Sequence, residues 1–531
     1  MNMKPALLTP ETMSIKGFDL LEKIQDDFIG LDTKYKLADG TISPRIYLDS
    51  TASTLMMGAA YRASKKFLNH YSNTHSLLHF SARISTKTYG WIHHRILDFV
   101  SADKDEYTSF FMGSGVTAGM NRVAKTLNRL RPERDIVLVS MMEHHSNDLP
   151  HRKHGGKVIH IPLEKNHQMP GKVNIEILEQ YLNRFSDRIN YVSITGLSNV
   201  TGIINNINEI AAIVHKYNVY LVVDAAQMAA HVPIKMSGFN NKDKEIDVLL
   251  FSGHKTYAPG SPGVVVARKS FLNSVEPEDV GGGMVDKVYP DNYFVTKKFP
   301  DREEAGTPNI LGAITLGSSI HVLDTIGMNN ILDEDKNLIQ YTMNKLTKFK
   351  EVHIYGDTNI KTCPRAGTIS FNIKNMDHGL VAAILNDYFN IAVRNECFCA
   401  HPYVQEMLSA THKQELDNCE SINSNLSWKM EPWMGMVRIS FGIYNKKKEI
   451  LPTGTCLILV TPDSERTMCT FLGIAGKINE NDVNADFVKQ SEIIFLEGYL
   501  WDEGDPKKAF DKAIISANKV AMSLSDQFCV D

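Results

Sequence analysis

The chain has 531 residues, 43% of them hydrophobic and 22% charged, the balance of an ordinary globular protein with room for roughly two to four domains. A formal net charge of −4 gives no reason to expect nucleic acid or an anionic membrane as partner. No apolar run approaches the ~20 residues that cross a bilayer, and the amino terminus lacks the basic-then-apolar order of a secretory signal. The seven cysteines, scattered from Cys363 to Cys529, do not make a disulfide framework, so a reducing cytoplasm is the expected setting.

From about Arg45 to Arg268, short β-branched runs alternate with stretches of helical period. The runs Ile136–Ser140, Lys157–Ile161, Asn190–Thr195, Val219–Asp224, Asp247–Phe251 and Gly263–Ala267 are the expected strands. Between them, Ile207–Tyr217 sets Ile207, Ile210, Ala211 and Val214 on one helical face. Such alternation predicts an α/β fold with a mainly parallel sheet covered by helices. From Leu311 to Asn445 a long helical stretch followed by short strands suits a smaller α+β domain. After the basic run Lys446–Lys448, the segment from Leu451 reads as a fresh turn and strand, which puts a boundary near residue 450.

Several residues sit where chemistry is done. Lys255 follows an expected strand in Phe251-Ser252-Gly253-His254-Lys255; an imine-forming lysine needs burial or a neighbouring cation to lose its proton, whereas a surface lysine at a strand end needs neither. Asp224 ends another strand, where a side chain points into the ligand crevice of an open sheet or simply caps the next helix. Gly113-Ser114-Gly115-Val116-Thr117 precedes a helical run and reads as an anion cradle or as an ordinary turn. The adjacent His144 and His145 face different ways and lack partners of metal-ligand spacing, so a ring stacked on a planar ligand fits better than a metal. Cys397 and Cys399 are too few for structural zinc; Cys399 is either an activated thiol or a small packing residue. Arg438, on the alternating run from Met436 to Asn445, suits bidentate carboxylate binding or a salt bridge.

Taken in order, these segments resemble the class V, fold-type I enzymes that use pyridoxal phosphate, within them the cysteine desulfurase and selenocysteine lyase group. The likeness runs from about Asp19 to Asn445. It also rests on Tyr47-Leu-Asp-Ser-Thr-Ala, on Asn73-Thr-His75 to His79, on Ser198-Asn199-Val-Thr-Gly, on Asp224-Ala-Ala-Gln227, on Gly281-Gly-Gly, on Glu304-Ala-Gly306-Thr307-Pro-Asn and on Arg394 to Pro402. The resemblance implies a large cofactor-binding domain over 45–310 with a sheet of the seven-stranded type. It implies a small domain over 311–449, lacking its usual last helix, with residues 1–44 packing on it.

Under that resemblance Lys255 carries the cofactor as a Schiff base and shuttles the Cα proton. Asp224 pairs with the pyridine nitrogen, Gln227 and Asn199 contact the ring substituents, and His144 stacks on the ring. Gly115, Val116, Thr117, Ser252 and His254 hold the phosphate, with Gly306 and Thr307 contributed by the other subunit of a homodimer. Arg438, with Arg394 and Asn199 nearby, binds the substrate carboxylate. Cys399 matches the sulfur-accepting cysteine, implying that L-cysteine or selenocysteine is converted to L-alanine through a Cys399 persulfide handed to an acceptor protein. No metal is expected. Two departures touch the substrate side: Phe398 stands where the family has histidine, preceded by Cys397, and Ser76-Leu77 replaces a more basic, glycine-containing pair. An aminotransferase or epimerase of the same class, in which Cys399 only packs, is the alternative, and a non-catalytic scaffold or nucleoside-binding module is another.

Residues 451–531 resemble a different family, the ribokinase-like kinases and their adenosine kinase-like members in particular. The likeness lies in the run from Thr453 to Met468, in Glu497-Gly-Tyr-Leu-Trp and in Ser523 to Cys529. The anion hole and catalytic aspartate of that family have no match here, so a fragment without kinase activity is expected.

Overall fold

The computed structural model describes residues 15–166, 169–409, 435–447, 455–460, 466–471, 478–497 and 505–523. The chain divides into two compact units, Met1–Asn445 and Lys446–Asp531.

The first unit is built on a seven-stranded sheet. Its strands are β1 (Tyr107–Met112), β2 (Ile136–Ser140), β3 (Lys157–Ile161), β4 (Ile189–Thr195), β5 (Tyr220–Asp224), β6 (Val248–Ser252) and β7 (Gly263–Arg268), in the spatial order β1-β7-β6-β5-β4-β2-β3. Six run parallel, and β7 is antiparallel to both its neighbours, β6 and β1. The expected strands fall within a residue of those observed. β1 was not among them: Tyr-Thr-Ser-Phe-Phe-Met mixes polar and aromatic residues with no clean period, yet its first five positions are buried. Every position of β2, β4 and β6 is buried, because helices cover both faces of the sheet. Each fully buried Val, Leu or Ile in such a layer contributes about 1.5–3 kcal/mol relative to exposure.

Helix α1 (Gly17–Ile24) adds Leu20, Leu21 and Ile24 to the same core. Helix α2 (Phe80–Phe99) and helix α3 (Gly115–Leu130), which begins within the glycine-rich run, flank β1. Helix α4 (Ile207–His215) buries Ile207, Ile210, Ala211 and Val214, the face that its period predicts. The long helical stretch after Leu311 is two helices, α5 (Ile310–Ile326) and α6 (Met328–Leu346), broken at Gly327 with φ +89°. No single helix among the described residues is long and apolar enough to cross a membrane.

A second sheet, antiparallel throughout, has the order β8-β9-β11-β10, formed by β8 (Val352–Ile354), β9 (Thr368–Ile373), β10 (Arg394–Glu396) and β11 (Met436–Ser440). Its register sets Arg394 directly opposite Arg438.

In the second unit, Thr455–Val460 pairs antiparallel with Arg466–Phe471, and Ile494–Glu497 pairs parallel with Val520–Ser523. A small core of Leu496, Phe510 and Ala513 lies there. Most of Glu497-Gly-Tyr-Leu-Trp and of Ser523 to Cys529 lies outside the described residues.

Candidate active site

The carboxyl ends of β1, β2, β4, β5 and β6 open on one edge of the large sheet, where the crevice of an open α/β sheet lies. A cavity of about 430 Å³ occupies this edge. Its wall takes Gly113–Thr117 after β1, His144 and Ser146 after β2, Leu197 and Asn199 after β4, Asp224, Ala226 and Gln227 at β5, and Ser252, His254 and Lys255 at β6, with Ser261 beyond. Ten of the residues singled out in the sequence therefore meet at one place: Lys255, Asp224, Gln227, Asn199, His144, Gly115, Val116, Thr117, Ser252 and His254.

Lys255 is the last residue of a single helical turn, Gly253–Lys255, pinned by Thr54, whose N–H and hydroxyl donate to the His254 carbonyl at 3.1 and 3.0 Å. Burial pushes the Lys255 amine down to about 8, against an opposing pull from the Asp224 carboxylate. Asp224 is itself buried, which raises its carboxyl; the Ala226 N–H, at 2.8 Å, and the Lys255 charge favour the ionised form. His254 is pushed down to about 4 by burial and by Lys255.

Burial and the Lys255 charge hold His144 down at about 3, so it is a neutral ring at physiological pH. Its Nδ1 accepts the Ser146 N–H at 3.1 Å, leaving the proton on Nε2. Beneath it, the fully buried Glu143 ties two strand ends together: it accepts from Asn147 Nδ2 at 2.6 Å, from the Thr195 N–H at 2.8 Å, and from the Ser140 hydroxyl. Burial raises Glu143 to about 8, opposed by these hydrogen bonds.

The glycine-rich turn is shaped for close approach. Gly115 has φ +59°, and a Cβ there would lie 2.7 Å from Ser252 Oγ, the atom that accepts the Val116 N–H at 2.9 Å. Its N–H groups open α3, whose dipole adds positive potential at the cavity. Gly115→Ala is expected to destabilise the protein by about 1–3 kcal/mol and to weaken binding of inorganic phosphate. Thermal melting and phosphate titration of the variant measure both effects.

Cys399, Arg438 and Arg394 are not among the residues that line the cavity, although the charges of Arg438 and Cys399 both act on Lys255. Arg438 is 3% exposed; its Nη1 donates to the Asn199 carbonyl at 3.0 Å and its Nη2 to Asp49 Oδ1 at 3.1 Å. Burial lowers its guanidinium to about 10. Cys399 is exposed, and its backbone carbonyl accepts the His145 N–H at 2.7 Å. Arg394 is exposed beside Arg438. Gly306 and Thr307 are exposed as well and belong to no wall of this chain's cavity. Among the described residues no cluster of His, Cys, Asp and Glu suits a metal ion.

Sequence reasoning missed Asp49, Glu143, Ser146 and Ser261. Asp49 lay inside a motif already noted, Tyr47-Leu-Asp, but no local signal marks a carboxylate that meets an arginine 389 residues away.

The class-V aminotransferase family model matches residues 46–451, most of the chain and all of this site. The chain belongs to that family. A probable cysteine desulfurase of Halalkalibacterium halodurans is 33% identical over 371 residues, which cover 68% of this class-V aminotransferase and 86% of the relative. The cysteine desulfurase of Escherichia coli K12 is 30% identical over 365 residues, 68% of this chain and 85% of its own. Among solved structures, the apo cysteine desulfurase of Thermococcus onnurineus aligns with a TM-score of 0.66 at 29% identity, covering 81% of this chain and 95% of the other. The family match ends at residue 451, so the likeness of the following segment to kinases stays a reading of the sequence.

Proposed function

We propose that this class-V aminotransferase is a pyridoxal-phosphate-dependent cysteine desulfurase that converts L-cysteine to L-alanine and leaves the sulfur on Cys399. The observation that carries the reading is the placement of a lysine held near pH 8 and a buried aspartate on one cavity wall, facing a glycine-rich helix start. The residues present fit the cofactor: Lys255 supplies the amine, Asp224 a carboxylate for a protonated ring nitrogen, and His144 a neutral flat ring. The Gly113–Thr117 turn with Ser252 and His254 supplies a cradle that a Cβ at Gly115 would fill. Gln227 and Asn199, on the same wall, would border the remaining ring edge.

When bound, pyridoxal phosphate supplies an electron sink for the charge left at the substrate Cα. Lys255 takes the Cα proton and returns it. Asp224 would keep the ring nitrogen of the bound cofactor protonated. Arg438, with Arg394 beside it, binds the substrate carboxylate. The Cys399 thiolate attacks the substrate sulfur, forming an S–S bond as the C–S bond breaks; the electron pair of that bond stays with the three-carbon fragment, whose Cβ takes up a proton from solvent, and the fragment leaves as alanine. An acceptor protein then takes the sulfur from the exposed Cys399. Gly306 and Thr307, exposed and away from their own cavity, serve the phosphate of a second copy in a homodimer.

The deciding experiment is an absorbance spectrum of the purified protein with pyridoxal phosphate, before and after L-cysteine, with alanine and sulfide measured alongside. A lysine-bound cofactor band that cysteine perturbs, with alanine appearing, is the expected result. A band with keto-acid-dependent amino transfer and no sulfide would replace desulfurase by aminotransferase. Because the Lys255 amine is neutral above about pH 8, the rate of cofactor loading onto apoprotein is expected to rise through that pH and then level off. Stopped-flow absorbance at a series of pH values measures this rate.

A further inference from the structure

The residue before Cys399 is an aromatic ring with an unusual seat. Phe398 and Cys399 both adopt left-handed backbone, φ +52° and +54°, and the Ala400 N–H closes the turn on the Cys397 carbonyl at 2.9 Å. No glycine relieves this turn. Side-chain-bearing residues keep such a conformation only where the surroundings hold it. Asn199 Nδ2 holds it by donating to the Phe398 carbonyl at 2.9 Å, and the His145 N–H holds the next carbonyl. The third tether is the ring itself, which is 8% exposed and lies on the Arg438 guanidinium, Cζ 4.6 Å from the ring centroid.

Arg438 gains more than a neighbour from this ring. An aromatic face attracts a guanidinium electrostatically, and does so more strongly where water is excluded. It occupies the flat face and leaves the in-plane N–H donors for acceptors. Two of those donors go to Asn199 and Asp49, and the buried Nε has no hydrogen-bond partner. A histidine at position 398 would put a second titratable cation against Arg438 near neutral pH. Phenylalanine removes that repulsion.

We propose that Phe398 is a positioning residue that fixes the Arg438 guanidinium for a substrate carboxylate and, through the shared turn, couples carboxylate capture to the placement of Cys399. The ring thereby makes the site selective for amines that bear an α-carboxylate. This inference rests on the desulfurase reading of the same site.

The test is spectral titration of the holoenzyme with L-alanine, which has the carboxylate, and with ethylamine, which lacks it. In Phe398→Leu, which keeps the bulk and loses the π face, alanine binding is expected to weaken roughly tenfold while ethylamine binding is unchanged. Phe398→Tyr, which keeps the face, should retain the alanine preference. In turnover, Phe398→Leu should raise the KM for L-cysteine by a similar factor. Phe398→His should match the wild type at high pH and lose alanine affinity as the pH falls through the histidine range. An alanine-to-ethylamine ratio unchanged in Phe398→Leu overturns the proposal, as does an equal weakening of both ligands. The titrations need no sulfur chemistry. A wild type that binds alanine yet releases no sulfide from cysteine therefore sinks the desulfurase reading, and the ratio still judges Phe398.

Discussion

Lys255→Ala is expected to remove the lysine-bound absorbance band and to lower alanine production from cysteine by at least about 10³-fold. The loss is large because one side chain has two jobs, and neither has a substitute on the cavity wall. Among the described residues Lys255 is the one lysine on that wall. His254 and His144 sit beside it, yet burial holds them at about 4 and 3, too weakly basic to remove a Cα proton at neutral pH. Asp224, in its proposed role, has the opposite task of keeping a proton nearby. The variant should nevertheless fold. Lys255 carries a burial penalty when charged, since its amine is lowered from the ordinary 10.5 to about 8. Apoprotein stability should therefore rise with pH across that interval, because the unfolded chain binds more protons there than the folded one. Lys255→Ala should remove this rise, as thermal melts at pH 8 to 10 would show. A variant that kept the band would overturn the assignment of Lys255.

Much of the site was legible because its residues occupy the ends of strands whose apolar runs are short and continuous. Asp224, Asn199 and Lys255 each follow such a run, and parallel strands put their carboxyl ends on one edge. That geometry converts a scatter over more than a hundred residues of chain into one wall. What period and spacing did not reveal are the contacts that close over long separations: Asp49 with Arg438, Glu143 with the Thr195 N–H, Phe398 with Arg438. Each joins segments with no common local pattern. The left-handed turn at Cys399 was equally hidden, because it contains none of the glycines that usually announce φ above zero. The strand β1 escaped for a related reason, since its burial comes from the neighbouring β7 and from α2 rather than from any alternation of its own.

Cys399→Ala is expected to lower sulfide and alanine release from L-cysteine by about 10²–10³-fold while leaving the cofactor band intact. The two effects separate because Cys399 is not among the residues that line the cavity, whereas Lys255, Asp224 and the Gly113–Thr117 turn are. The tethers of its turn act on the Cys399 and Phe398 carbonyls and on the Phe398 ring, and alanine at 399 preserves all three. Cys399→Ser should fail to the same degree, since the reacting group is a thiolate and a hydroxyl of the same shape is no substitute. Cys397 cannot take over. Its thiol is buried and burial raises its pKa, which keeps it protonated and away from solvent, whereas Cys399 is exposed. Cys397→Ala should accordingly leave release unchanged. After treatment with cysteine, the wild-type peptide bearing Cys399 should gain the mass of one sulfur atom, and the Cys399→Ala peptide should not. Undiminished sulfide release from Cys399→Ala would make the cysteine a packing residue and return the site to lysine-and-aspartate chemistry of the wider family.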